Sequence, residues 1–324
     1  MKLSFLFFSD EPDNSWVSIQ QIGIKYAIAK LAPEFTGKNP PWDFDSLKFS
    51  KDQFKAYGFD LIGLEGDQMD MTKIKLGLPG RDKDIEKYKQ MLSNMGKLNI
   101  SLLCYNFMAT GWVRTNKMIS ERGGALVTGF NINEAKLLPN TPYGKFSVEQ
   151  MWDNYIYFIN KVIPIAEENG VKMALHPDDP PVPELQGIAR IFIDANAIRK
   201  ALSFSNSTSH GLTFCQGTYK TMGENLPSLI EEFGRKQKIF FVHIRDVEGH
   251  RYNFRETFHD NGPTNMPEML SMYKKVEFNG PIRSDHAPTM AGESNKHPGY
   301  EINGHLFGIG YIRGIMDTLK IPYI

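Results

Sequence analysis

Residues 147–179, SVEQMWDNYIYFINKVIPIAEENGVKMALHPDD, decide the fold, because they contain a helix, a stop and a strand in immediate succession. Ser147 followed three residues later by Gln150 is a capping-box signature, so a helix is expected over Val148–Asn169. Asn169-Gly170 is a helix stop. The short apolar run Val171–Leu175 has no clean polar alternation, as in a strand covered on both faces. His176-Pro177-Asp178-Asp179 follows at once, placing ligand-type side chains where such a strand ends.

The same unit recurs along the whole chain. Strands are expected at Leu3–Phe8, Gly23–Ala29, Phe59–Leu64, Ile100–Tyr105, Val171–Leu175, Leu212–Cys215, Ile239–His243 and Pro281–Asp285. Helices are expected at Ser15–Ile22, Ser50–Tyr57, Lys83–Gly96, Val148–Asn169, Ile188–Ser203, Glu224–Gly234, Met266–Lys275 and Asn303–Leu319. Eight such alternations describe a closed (β/α)₈ TIM barrel, an α/β fold, with residues 1–324 forming a single catalytic domain. A doubly wound sheet also alternates, but no G-x-G-x-x-G follows the first strand and no Walker motif is present. Lys30–Phe49, Asn106–Phe146 and His286–Ile302 read as long irregular segments. Each follows a strand, and so belongs on the C-terminal face, where barrel active sites lie.

Lysine plus arginine equals aspartate plus glutamate at 37 each, so no global field favours nucleic acid or an anionic membrane. No apolar stretch approaches the roughly 20 residues of a membrane span. The N-terminal apolar run is shorter than a signal-peptide core and reads as the first strand. Two cysteines, Cys104 and Cys215, cannot build a disulfide framework, and a reducing cytoplasm is the expected location.

Four consecutive expected strands, the fifth to the eighth, run into metal-ligand residue types: His176, Cys215, His243 and Asp285. One strand-end histidine is more often a satisfied polar residue, and one buried cysteine more often a small hydrophobe. Coincidence at four successive strand ends is much harder to explain that way. A closed barrel brings them to one rim, where two imidazoles, a thiolate and a carboxylate suit a divalent transition metal with room for substrate oxygens. Cys104 lies within the fourth apolar run, and core packing is its expected role.

These residues also carry a family resemblance. IKLGLPGRDKDIEKYKQ at 74–90, CYNFM and WVRT within 104–115, ALHPDDPP at 174–181, FCQG at 214–217 and VHIRDV at 242–247 resemble mannonate dehydratase of hexuronate catabolism. SDHAPTMAGE at 284–293 and PGYEINGHLFGIGYIRG at 298–314 extend the match to about two thirds of the chain. The resemblance implies a xylose-isomerase-like barrel, a Mn²⁺ or Fe²⁺ centre and dehydration of D-mannonate to 2-keto-3-deoxy-D-gluconate. It also implies His176, Cys215, His243 and Asp285 as metal ligands, with His286 and Tyr300 as the acid/base groups. Three stretches depart from the family pattern. Leu6–Asp10 replaces an R-W-Y-G-like segment, Gly66–Met69 follows Glu65 in place of an S-x-P-V-like one, and Arg283-Ser284-Asp285-His286 stands for R-P-D-H.

The implied chemistry is coherent. Removing the proton α to a carboxylate puts a second negative charge on that group, which a divalent cation offsets. A base takes the proton, and an acid protonates the leaving hydroxide. Arg245 and Arg114 are the arginines expected to grip the substrate carboxylate. Asp178 and Asp179 are candidates for substrate hydroxyls, Glu65 joins the same side, and His259 is a candidate from its loop. The expected partner is a small sugar acid, with no nucleic acid and no membrane; a homodimer or homotetramer is left open. Competing readings are a metal-dependent sugar isomerase or epimerase, a dehydratase of another hexonate, and a sugar-acid binding protein with a structural metal.

Overall fold

Each apolar run forms a parallel strand: β1 (Lys2–Phe7), β2 (Tyr26–Ala29), β3 (Asp60–Glu65), β4 (Leu102–Tyr105), β5 (Lys172–Leu175), β6 (His210–Cys215), β7 (Ile239–Ile244) and β8 (Pro281–Ser284). They close in chain order in a computed structural model that describes residues 1–324, with Lys2 and Leu3 of β1 registered on Pro281 and Ile282 of β8. The barrel interior holds a small apolar cluster of Leu6, Ile28, Ile62, Leu102, Cys104, Ala174 and Phe241. The outward faces join the helices in a core of 68 buried residues. Truncating one of its large members, such as Phe214 or Phe158 (each 0% exposed), would cost about 3–5 kcal/mol.

The joints follow local chemistry. In the helix Val148–Glu168 the Ser147 N–H donates to Gln150 Oε1 at 2.8 Å, and the Gln150 N–H donates to Ser147 Oγ at 3.3 Å. Gly170 then takes φ +67°, a left-handed conformation that turns the chain into β5. Gly96 has a different reason: a Cβ there would lie 2.6 Å from the backbone oxygen of Asn169, so two helix ends meet across it. The left-handed residue of that turn is Asn99 (φ 56°).

Three expectations are corrected. The second long helix begins at Phe44, six residues ahead of Ser50, because the Asp43 carboxylate accepts the Ser46 N–H at 3.0 Å and caps it there. The helix expected from Ile188 begins at Ala195, capped by Asp194 through the Ala197 N–H at 2.8 Å; Ile188–Ala189 instead pairs with Glu184–Leu185. Asn106–Phe146 is only partly irregular. Its strands Asn116–Ser120 and Leu126–Asn131 join Val247–His250 and Asn253–Glu256 in an antiparallel sheet. Leu126 also exchanges two backbone hydrogen bonds with Thr289 (2.9 and 2.8 Å), tying the loops after β4, β7 and β8 together. No helix is long and apolar enough to cross a membrane.

Candidate active site

Strand register brings the expected ligand types together. His243 on β7 is the direct neighbour of Cys215 on β6 and of Arg283 on β8. His176 follows β5 and Asp285 follows β8. The ligand atoms of His176, Cys215 and His243 lie within 4.8 Å of one another. Asp285 closes the group, with its carboxylate 3.5 Å from both His243 Nδ1 and Cys215 Sγ. His176 Nδ1 lies 2.7 Å from the Pro177 carbonyl oxygen, which can only accept. That nitrogen therefore carries the proton, and Nε2 presents a lone pair. His243 is 1% exposed; its Nε2 stands 3.4 Å from the Glu65 carboxylate and its Nδ1 3.5 Å from that of Asp285, and neither nitrogen makes a well-aligned hydrogen bond. Cys104, in the barrel interior, accepts a hydrogen bond from Thr213 Oγ1 at 3.1 Å. It forms a second ligand-type group with Glu65 and the same His243; burial pushes its thiol well above the ordinary range.

Around this group runs a dry network of paired charges. Arg114 grips Asp179 with both terminal nitrogens (2.9 and 2.8 Å) and reaches Glu256 at 2.9 Å. Arg245 donates to Asp285 (2.7 Å), Asp179 (2.7 Å) and Glu256 (3.0 Å). Neither guanidinium lines the cavity, contrary to the expectation that they hold a substrate carboxylate; their donors are taken by buried carboxylates instead. Removing one partner from such a pair leaves an uncompensated buried charge, at about 3–5 kcal/mol. Arg283 likewise binds Glu65 and Asp285. Burial alone would raise the Glu65 carboxyl, but Arg283 and His243 overcome it and hold it at about 2. Burial is also overcome at Asp179, by Arg114 and Arg245, and at Asp285, where His286, Arg283, His243 and Arg245 all act; both carboxyls stay well below the usual range.

Two further candidates lie behind the cavity rather than in it. Asp178 accepts the Phe192 N–H at 2.8 Å, and burial raises its carboxyl, which fits an anchor for the loop after β5. His259 Nε2 sits 3.1 Å from the Ile244 carbonyl and 3.0 Å from Ser284 Oγ, and burial lowers the ring to about 4. Asp179 and Glu65 do line the cavity.

His286 and Tyr300 form a couple, and a third residue that sequence reasoning missed completes it. His286 Nδ1 lies 2.6 Å from Glu256 Oε1, and Nε2 lies 2.8 Å from the Tyr300 hydroxyl. Burial opposes ionisation of Glu256, but a protonated His286 together with Arg114 and Arg245 overcomes it and holds the carboxyl at about 2; the two guanidiniums remain beside it when the ring is neutral. An ionised carboxylate only accepts, so Nδ1 carries the proton, and in the neutral ring Nε2 accepts from the phenol. Burial, reinforced by Asp285, raises the Tyr300 phenol well above its ordinary value and keeps it protonated. Phe8 packs edge-on against Tyr300 at 4.7 Å and Trp112 against His286 at 5.0 Å, forming one wall of a cavity of about 200 Å³. His176, Asp285, His286 and Tyr300 all face this cavity.

The closed parallel barrel and this centre define a (β/α)₈ protein with a candidate metal centre at the C-terminal rim of its strands. A family model described as D-mannonate dehydratase (UxuA) matches residues 1–141 and 135–323. The chain belongs to the D-mannonate dehydratase family, and it is a hydro-lyase. Mannonate dehydratase 2 of Halalkalibacterium halodurans is 31% identical over 350 residues, covering 99% of this chain and 100% of that one. The crystal structure of mannonate dehydratase from Streptococcus suis serotype 2 matches with TM-score 0.89 at 27% identity, covering 98% of this chain and 96% of that one. A D-tagatose 3-epimerase-like protein, at TM-score 0.64 and 15% identity with 99% and 98% covered, shares the fold.

Proposed function

We propose that the chain dehydrates D-mannonate to 2-keto-3-deoxy-D-gluconate and water in hexuronate catabolism, as one catalytic domain working in the cytoplasm. The reading is carried by one observation. A buried imidazole with no hydrogen bond on either ring nitrogen, His243, stands beside His176 and Asp285, which line the same cavity as His286 and Tyr300.

The residues fit a metal ion. An unsatisfied buried polar atom costs about 1–3 kcal/mol, so His243 in this setting calls for a ligand-bond partner. His176, Cys215, His243 and Asp285 would hold the ion; their mix of imidazole, thiolate and carboxylate favours a first-row transition metal over Mg²⁺ or Ca²⁺, and we assign Mn²⁺ or Fe²⁺. When bound, such an ion supplies positive charge beside the substrate carboxylate as the C2 proton leaves.

The remaining chemistry belongs to the chain. With substrate bound the Tyr300 proton turns to the 3-hydroxyl, which frees the Nε2 lone pair of His286 to take the C2 proton, and Glu256 stabilises the resulting imidazolium through Nδ1. Tyr300 gives its proton to the departing 3-hydroxyl as water, and the 2.8 Å contact then returns the proton from His286 to Tyr300. The C2–H and C3–O bonds break, a C2–C3 double bond forms, and the couple ends as it began. The enol product rearranges to the 2-keto acid. Phe8 and Trp112 keep one wall of the site apolar, which limits water there.

The test is a panel of hexonates and neutral sugars given to the metal-reconstituted protein, following 2-keto-3-deoxy acid. Turnover of D-mannonate is expected. Turnover of sugars with none of sugar acids would replace this reading with an isomerase or epimerase.

A further inference from the structure

We infer that Lys30, at the end of β2, is the residue that binds the carboxylate of the substrate and so selects a sugar acid over a neutral sugar. The inference rests on the sugar-acid reading above. Among the residues lining the cavity Lys30 is the one lysine or arginine. The carboxylates lining the same cavity are already neutralised from outside it: Glu65 by Arg283, Asp179 by Arg114 and Arg245, and Asp285 by Arg245 and Arg283. Asp67, which also lines the cavity, is drawn away by Lys75 at 2.6 Å. Lys30 itself enters no ion pair, and its ammonium stands 4.9 Å from the centre of the Phe35 ring. It is the one side-chain cation lining the cavity that no carboxylate neutralises, and an anion is what completes it.

The chain presents Lys30 there by construction. Its N–H donates to the Phe7 carbonyl at 2.8 Å, which continues the barrel ladder one residue past β2 and fixes the start of the side chain. Its stem then runs past Gly66, where an added Cβ would stand 3.6 Å from Lys30 Cδ; Gly66 has φ +78°. An ammonium reaching one carboxylate is a charge-assisted contact worth roughly a 10- to 100-fold change in binding.

The test uses the metal-loaded full chain and three variants, Lys30→Met, Lys30→Gln and Lys30→Arg, checked for metal content and melting temperature. Calorimetric binding of D-mannonate is compared with that of D-mannitol, which has the same hydroxyl stereochemistry and no carboxylate. The wild type should prefer the acid by at least about tenfold, Lys30→Met and Lys30→Gln should lower that preference roughly 10- to 100-fold, and Lys30→Arg should retain most of it. In turnover, KM for D-mannonate should rise roughly 10- to 100-fold in Lys30→Met with kcat changed little. An unchanged acid-to-alcohol ratio in Lys30→Met, or no preference in the wild type, would overturn the inference. A Lys30-dependent preference without 2-keto-3-deoxy acid formation would uphold Lys30 and defeat the dehydratase reading instead.

Discussion

Glu256 and His286 are joined by a 2.6 Å contact although they stand on different loops of the barrel face, Glu256 at the end of a loop strand and His286 just after β8. The carboxylate fixes which ring nitrogen carries the proton. Glu256→Gln should therefore keep the metal while lowering kcat by roughly 10²-fold, since a neutral amide can leave the ring in the wrong tautomer. Metal analysis with steady-state kinetics checks this, and a wild-type kcat would remove Glu256 from the couple.

His286→Asn and Tyr300→Phe should each lower kcat by about 10²–10⁴-fold, or roughly 3–5 kcal/mol, with metal content retained. Because the two share one proton circuit, the double variant should lose far less than the product of the single losses. Multiplicative losses would mean that they serve separate steps.

Cys215→Ala and His243→Ala should each abolish stoichiometric metal binding, measured by elemental analysis of folded protein. Chelation of the wild type should lower the melting temperature by at least about 2–4 °C, since a ligand that binds only the folded state stabilises it by mass action. Wild-type metal content in both variants would dismiss the centre.

Acid sensitivity should appear well above the carboxylate range. Burial lowers His210 from 6.5 to about 4, and its Nε2 sits 3.2 Å from the Tyr155 hydroxyl. The folded chain thus binds fewer protons than the unfolded chain between those values. Stability from this residue is complete above pH 6.5 and lost as pH falls toward 4, amounting to up to roughly 2 kcal/mol at pH 5. His259 (about 4) and His305 (about 3) act in the same direction. Glu65 and Glu256, held at about 2, contribute stability that is lost only as pH falls below their unfolded value of 4.5. Melting scans of His210→Gln from pH 7 to 4.5 should show a flatter slope than wild type, and an identical slope would refute the assignment.

What was legible in the sequence follows from what is local. The strands could be read because each is a short apolar run bounded by its own stop signals. His176, Cys215, His243 and Asp285 could be read because each lies at a strand end, so chain position and spatial position coincide. Glu256 could not be read, since its place depends on Asn253–Glu256 pairing with Leu126–Asn131, with Thr128 donating to it at 2.8 Å from 128 residues away. Arg114 and Arg245 were legible as site arginines, but not their partners, because only the folded chain shows that buried carboxylates already occupy them. Lys30 carried no signal at all, being one lysine at the start of a loop.

The sheet that carries Glu256 has a consequence for how this enzyme can change. Side chains alternate sides along a strand, so inserting or deleting one residue between Tyr252 and Glu256 would point the carboxylate away from His286 while every reacting group stayed in place. Loops tolerate insertions and deletions better than the strands and helices they connect. One of them, several residues from the chemistry, is enough to silence the proton couple, and a compensating change in the same hairpin is enough to restore it. The hairpin is thus a hereditary dial on activity that substitution scans of the cavity would never find.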